Sequence, residues 1–239
     1  NAVVSSRIIF SGQVCNCAER VYVEDSIFDE FMEKVAKKMA EVKVEDAFST
    51  NNPDMSSMVS KDQLEKVAEM VEFAKKEGAE VLVGGGRSTN FDKGYFYQPT
   101  LLTNIKQNMQ IMQEEIFGPI LPMMTYTSES EIIDYLREEE KPLALYVFST
   151  DDVFTEYILN NTTSGTSVVN DCLIQFGHTE LPFGGVNHSG IGKSGGKYGF
   201  TEFSNQKSVV KQRTHLLKNF YPPYTFKSKW LIEQVLRWF

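Results

Sequence analysis

The sequence predicts an α/β fold, a doubly wound, mostly parallel sheet with flanking helices. Two observations carry this expectation. From residue 120 onward strand-like and helix-like runs alternate, at 120–126, 130–139, 144–149, 151–160 and 166–170. Such alternation marks crossover helices joining parallel strands. The chain also has 239 residues, 41% hydrophobic and 23% charged, enough to bury a substantial core.

The elements follow in order. Residues 2–10 are apolar enough to form the end of a helix. A loop carrying Cys15 and Cys17 comes next, then a β-like run at 20–23. Asp25-Ser26 can cap a helix over 27–42, in which Phe28, Phe31, Val35 and Met39 share one face. Residues 45–59 are polar, and Asn51-Asn52-Pro53 marks a loop. A second amphipathic helix spans 60–77, with Leu64, Val67, Val71 and Ala74 on one side and Gly78 as its stop. A short buried strand is expected at 79–83, and another at 95–102 that Pro99 places near an edge. Residues 109–124 are densely apolar, interrupted by Glu114-Glu115-Ile116-Phe117-Gly118-Pro119. A final helix is expected over 226–239. Residues 1–206 read as one unit and 207–239 as a basic, aromatic C-terminal extension. The opening residues look like the middle of a helix, so the chain reads as a fragment.

The formal net charge of −8 argues against nucleic acid as a partner. It is uneven: from Lys207 onward seven Lys/Arg stand against one acid, so residues 1–206 carry −14. No apolar run approaches the 18 or so residues of a membrane span. Three cysteines without a zinc-type Cys-x-x-Cys suit a reducing compartment, and a cytoplasmic location is expected.

Cys15 is the first candidate for chemistry. A reactive thiol must be reachable and held by a backbone that leaves its sulfur free, and Gly12 permits a sharp turn just before it. The competing reading, that Cys15 and Cys17 are ordinary small core residues, has equal weight from this stretch alone. Glu114 and Glu115 read either as solvated helix-end charges or as a carboxylate held beside Phe117 and the rigid Gly118-Pro119 turn, where it could accept hydrogen bonds from ribose hydroxyls. Gly190-Ile-Gly192-Lys-Ser-Gly195 fits G-x-G-x-x-G only formally, since no hydrophobic strand precedes it and no helical pattern follows. A metal site from Cys15, Cys17 and one of His178, His188 or His215 is disfavoured, because Cys-x-Cys alone is a weak signal. No metal is expected.

Four stretches then combine. Gly12-Gln13-Val14-Cys15, Glu115-Ile116-Phe117-Gly118-Pro119, Pro182-Phe183-Gly184-Gly185 and Ser189-Gly190-Ile191-Gly192 resemble the aldehyde dehydrogenase superfamily in order and spacing, and Gly94-Tyr95-Phe96 with Pro99-Thr100 agrees. The tail, with Tyr221-Pro222-Pro223-Tyr224, is similar to the branch acting on fatty and aromatic aldehydes. The run Cys15–Arg20 is instead similar to the lactaldehyde and glycolaldehyde branch, so the preferred aldehyde stays open. The resemblance implies the catalytic portion of an oxidoreductase that converts an aldehyde to a carboxylic acid with NAD or NADP. It implies that Cys15 is the nucleophile, with its own backbone N–H as one oxyanion donor, and that Glu115 holds the nicotinamide ribose with Phe117 packed beside the nicotinamide. A homo-oligomer is also implied. Cys17 has no fixed role, and a disulfide between residues i and i+2 would be strained.

Departures accompany the match. Phe10 stands where the family usually has Asn, and Ser56-Ser57-Met58 where it has Gly-Pro-Leu. The family's general-base glutamate and second oxyanion donor lie in motifs that do not occur here, so this chain alone is expected to turn over little. Two other readings stay open: a fragment that oligomerises or meets a membrane surface through its C-terminal tail, and a thiol esterase pairing Cys15 with His178 or His188.

Overall fold

The computed structural model describes residues 1–48, 52–214, 218 and 220–238. Asn51, His215 and Phe239 therefore lie outside the described residues. Two compact units are present, Asn1–Phe203 and Ser204–Phe239.

In the first unit, helix α1 (Ala2–Ile8) runs through a short 3-10 turn into the cysteine loop, and strand β1 (Val21–Glu24) follows. Helix α2 (Phe28–Ala40) packs against the sheet with Val35 and Met39. The expected Asp25-Ser26 cap does not form. Those residues make a 3-10 turn, and the Ser26 hydroxyl donates back to Glu24. Helix α3 (Lys61–Glu77) begins where Ser60 accepts from the Gln63 N–H and ends at Gly78, which is left-handed at φ 107°.

Strands β1, β4 (Ile120–Tyr126), β3 (Thr100–Thr103) and β2 (Glu80–Val83) form one sheet in the order β1-β4-β3-β2. β4 is parallel to both its neighbours, and β2 is antiparallel to β3. Period-2 alternation sorts the side chains. Leu101, Leu121, Met123 and Val23 meet α1 and α2 on one face. Leu102, Ile120, Met124 and Tyr22 meet α3 and the short helix α4 (Gln110–Gln113) on the other. Helices thus cover both faces, and Val67, Val71 and Ala74 of α3 are fully buried. Each such apolar side chain larger than Ala contributes about 1.5–3 kcal/mol by burial.

Two strand expectations are corrected. β2 is a half-exposed antiparallel edge strand rather than a buried one. β3 is interior, not near an edge, because it starts at Thr100, after Pro99. The missing proline N–H therefore falls outside the ladder.

The α/β alternation continues through helix α5 (Glu129–Glu138), strand β5 (Ala144–Val147), helix α6 (Asp152–Asn161) and strand β6 (Thr166–Val169). Here β5 and β6 pair parallel in a sheet of their own, with Ile133, Val147 and Ile158 between the layers. Ser128 and Asp151 cap their helices through side-chain oxygens. A helix α7 (Gly196–Glu202) does follow the Gly190–Gly195 segment, contrary to expectation, but only an isolated bridge between Phe183 and Ser194 stands near it in place of a strand. At seven residues it is too short for its apolar pattern to stand out. In the second unit, helix α8 (Phe226–Leu236) is capped by Thr225. Among the described residues no helix is long and apolar enough to cross a membrane.

Candidate active site

Phe10, Ser11 and Gly12 follow α1 with φ of 46°, 57° and 74°. Three successive left-handed residues reverse the chain sharply. Gln13 locks the reversal: its amide donates to the Phe10 carbonyl at 2.9 Å and its Oε1 accepts from the Val59 N–H at 3.1 Å. The Ser11 hydroxyl adds a 2.6 Å bond to the Ser56 carbonyl. The turn that follows presents Cys15 to solvent. The next residues point inward: Asn16 is buried, and its carbonyl accepts from the Tyr146 hydroxyl at 2.5 Å. Cys17 is buried and its thiol is pushed up by that burial, against the opposing pull of Arg7. Cys172, also buried, is pushed up to about 11 by burial and by Asp171. All three cysteines are free.

The second candidate loop joins α4 to β4. Ile116 is fully buried, so its neighbours Glu115 and Phe117 are turned outward, Glu115 exposed and Phe117 half-buried. Phe117 is left-handed at φ 50°. Helix α3 ties this loop down from one side. Gln63 Nε2 donates to the Ile116 and Phe117 carbonyls at 3.2 and 2.9 Å, and Lys66 Nζ donates to the Glu115 carbonyl at 3.2 Å. The Glu115 carboxylate itself has no hydrogen-bond or ion-pair partner among the described residues. Its pKa is raised, first by partial burial and then by Glu19, with Lys66, Arg7 and Arg20 opposing. Glu114 is different: its carboxylate is taken by the Gln110 amide at 2.7 Å.

The two loops touch. A Cβ on Gly12 would overlap the carbonyl oxygen of Gly118, so the chains meet backbone to backbone. Arg7, missed in the sequence, spans the junction. Its Nε donates to the Gly118 carbonyl at 2.7 Å, Nη2 donates to the same oxygen, and Nη1 reaches Ala18 and Glu19 at 3.3 and 3.4 Å. Glu19 uses its other oxygen to accept from the Ile116 N–H at 2.9 Å. Burial pulls the Arg7 pKa down and Glu19 holds it up. The signal for Arg7 was present as a lone cation inside an apolar helical stretch.

Among the described residues, neither His178 nor His188 is drawn to the Cys15 thiol by a hydrogen bond. His188 Nδ1 faces Glu140 at 3.0 Å on the surface, and His178 is exposed. Among the described residues no group of three or more His, Cys, Asp or Glu is arranged to hold a metal ion.

Residues 1–209 match the sequence model of the aldehyde dehydrogenase family. A putative aldehyde dehydrogenase, AldX, of Bacillus subtilis is 37% identical over 211 residues, covering 88% of this chain and 46% of the relative. The crystal structure of lactaldehyde dehydrogenase from Escherichia coli superposes with a TM-score of 0.79 at 35% identity, over 84% of this chain and 42% of that one. Betaine aldehyde dehydrogenase from Staphylococcus aureus, solved in complex with NAD+, gives 0.79 at 31% identity, over 84% and 40%. The chain thus spans about half the length of the relatives it matches. Sequence and fold agree over the stretch that holds both loops, and the chain belongs to the aldehyde dehydrogenase family.

Proposed function

We propose that this chain carries the thiol of an NAD- or NADP-dependent oxidation of an aldehyde to a carboxylic acid. The observation that carries the reading is the placement of solvent-exposed Cys15 on a loop packed directly against the Glu115–Gly118 loop. The residues present fit the nicotinamide-ribose end of a dinucleotide. Glu115 offers two acceptor oxygens with no other partner among the described residues, and Phe117 offers a half-exposed ring. When bound, the dinucleotide accepts the two electrons of the oxidation.

Cys15, as thiolate, adds to the aldehyde carbon, and the carbonyl oxygen takes up the negative charge. In this reading the Cys15 backbone N–H serves as one donor to that oxyanion, a contact worth about 10²–10³ in rate. After oxidation the acyl group remains as a thioester on Cys15 until water releases the acid and restores the thiol. Gln13 and Ser11 hold the turn so that the sulfur stays outward. Glu115 and Phe117 orient the cofactor against it.

We read residues 1–206 as the unit that bears this chemistry and 207–239 as an extension of separate role. The free cysteines suit a reducing compartment such as the cytoplasm. Assembly as a homo-oligomer belongs to the same reading. The test is turnover by the protein carrying this chain, with a panel of aliphatic and aromatic aldehydes and either dinucleotide. Absence of dinucleotide reduction, or a Cys15→Ser variant as active as the wild type, would sink it.

A second reading concerns the extension. In α8, Phe226 and Trp230 are exposed beside Lys227 and Lys229, and Trp238 follows next to Arg237. Exposed aromatics among cations suit an anionic membrane surface. Salt-sensitive binding to phosphatidylserine vesicles, lost when residues 220–239 are deleted, supports it. No binding at low salt ends it.

A further inference from the structure

Arg7 has no part in the reaction as proposed, yet its side chain is fully buried. Removing a guanidinium from water costs several kcal/mol even after relaxation, and a buried ion pair is often matched or bettered by an apolar residue of equal size. Stability alone is therefore a poor reason for a cation here. Its partners suggest another. Two donors converge on the carbonyl of Gly118, one residue past Phe117. A third reaches Ala18, three residues past Cys15. Glu19, paired with Arg7 at 3.4 Å, holds the N–H of Ile116, the residue between Glu115 and Phe117. Among the described residues, every side-chain hydrogen bond of this pair falls on one of the two loops or on the other member of the pair, and Gly12 abuts Gly118 at the same junction.

We propose that Arg7 and Glu19 are positioning residues that set the distance between the Cys15 thiol and the Glu115–Phe117 edge where the nicotinamide would lie. The inference rests on the function proposed above. A planar guanidinium is suited to the task because it can fork onto one oxygen while still reaching two other groups, which a lysine ammonium cannot reproduce. Misplacing reacting groups by 1 Å costs about a hundredfold in rate, so a clasp need only slip slightly to be felt.

The experiment compares wild type with Arg7→Lys and Glu19→Gln. In the protein without cofactor, hydrogen exchange is read over residues 114–118 and over β4. Arg7→Lys is expected to speed exchange at 114–118 by roughly tenfold while β4 stays protected, since local opening is distinct from global unfolding. With cofactor, kcat is expected to fall about a hundredfold. Iodoacetamide should still label Cys15 alone, at a rate within about threefold of wild type, because an exposed thiol needs no alignment to be alkylated. Arg7→Lys with unchanged exchange at 114–118, or with wild-type kcat, overturns the proposal. Labelling of all three cysteines would mean that Arg7→Lys has unfolded. Glu19→Gln then decides, with faster exchange at 114–118 and reduced kcat supporting the clasp and wild-type values of either overturning it. If the wild type itself oxidises no aldehyde, it is the proposed function that fails.

Discussion

Cys15 and Cys17 stand two residues apart in one turn and meet opposite surroundings. Cys15 is exposed, whereas Cys17 is 9% exposed against the core that also contains Val4 and Ala18. Burial raises the Cys17 thiol, and Cys172 is raised to about 11. Both therefore stay protonated at pH 8, and the thiolate is the reactive species. Brief treatment with iodoacetamide at pH 8 is expected to modify one cysteine per chain, Cys15, as read by peptide mass spectrometry. Equal labelling of Cys17 would show that the turn does not hold its alternation.

Gly12 is required at its position for two independent reasons. Its φ is 74°, and a Cβ there would overlap the Gly118 carbonyl. Gly12→Ala is expected to lower stability by about 2 kcal/mol or more through strain in the left-handed region and separation of the two loops. Chemical denaturation checks the first part. A stable Gly12→Ala protein with unchanged midpoint would contradict the close approach.

Phe10 poses the reverse case. It holds φ 46° and the residue is 75% exposed, so its ring recovers little by packing. Asn tolerates the left-handed region far better than an aromatic residue. Phe10→Asn is expected to raise stability by about 1 kcal/mol, visible as a higher melting temperature. A lower one would mean the ring makes contacts beyond those present in this structure.

Glu115 links stability to pH. Partial burial and then Glu19 raise its carboxyl in the folded state. The folded protein thus holds that proton more tightly than the unfolded chain. The group favours folding below its unfolded pKa and loses that contribution as pH rises through the raised folded value. Glu115→Gln should therefore melt at a higher temperature than wild type at pH 7, and the difference should shrink towards pH 4. Calorimetry at the two pH values decides, and a constant difference would rule the effect out. The same change should weaken dinucleotide binding if Glu115 takes the ribose.

Much of this architecture is written locally. Helix α3 shows its start and stop in Ser60 and Gly78, and its buried face in Leu64, Val67, Val71 and Ala74. Strand β4 spans the seven residues expected from its apolar run, and Asp151 opens α6 as its side chain allows. Such features depend on side-chain periodicity and on caps a few residues away, so the chain itself specifies them. Both loops of the candidate site stand out in the same way, as glycine-bounded stretches around Cys15 and around Glu115 and Phe117. Strand order is another matter. β2 became an exposed edge and β3 an interior strand because partners come from distant parts of the chain. Above all, Arg7 and Gly118 are 111 residues apart, and nothing in either neighbourhood announces the other. That a buried guanidinium joins the thiol loop to the carboxylate loop was settled only when the sheet brought their backbones into contact, since a buried donor must find its acceptor wherever the fold supplies one.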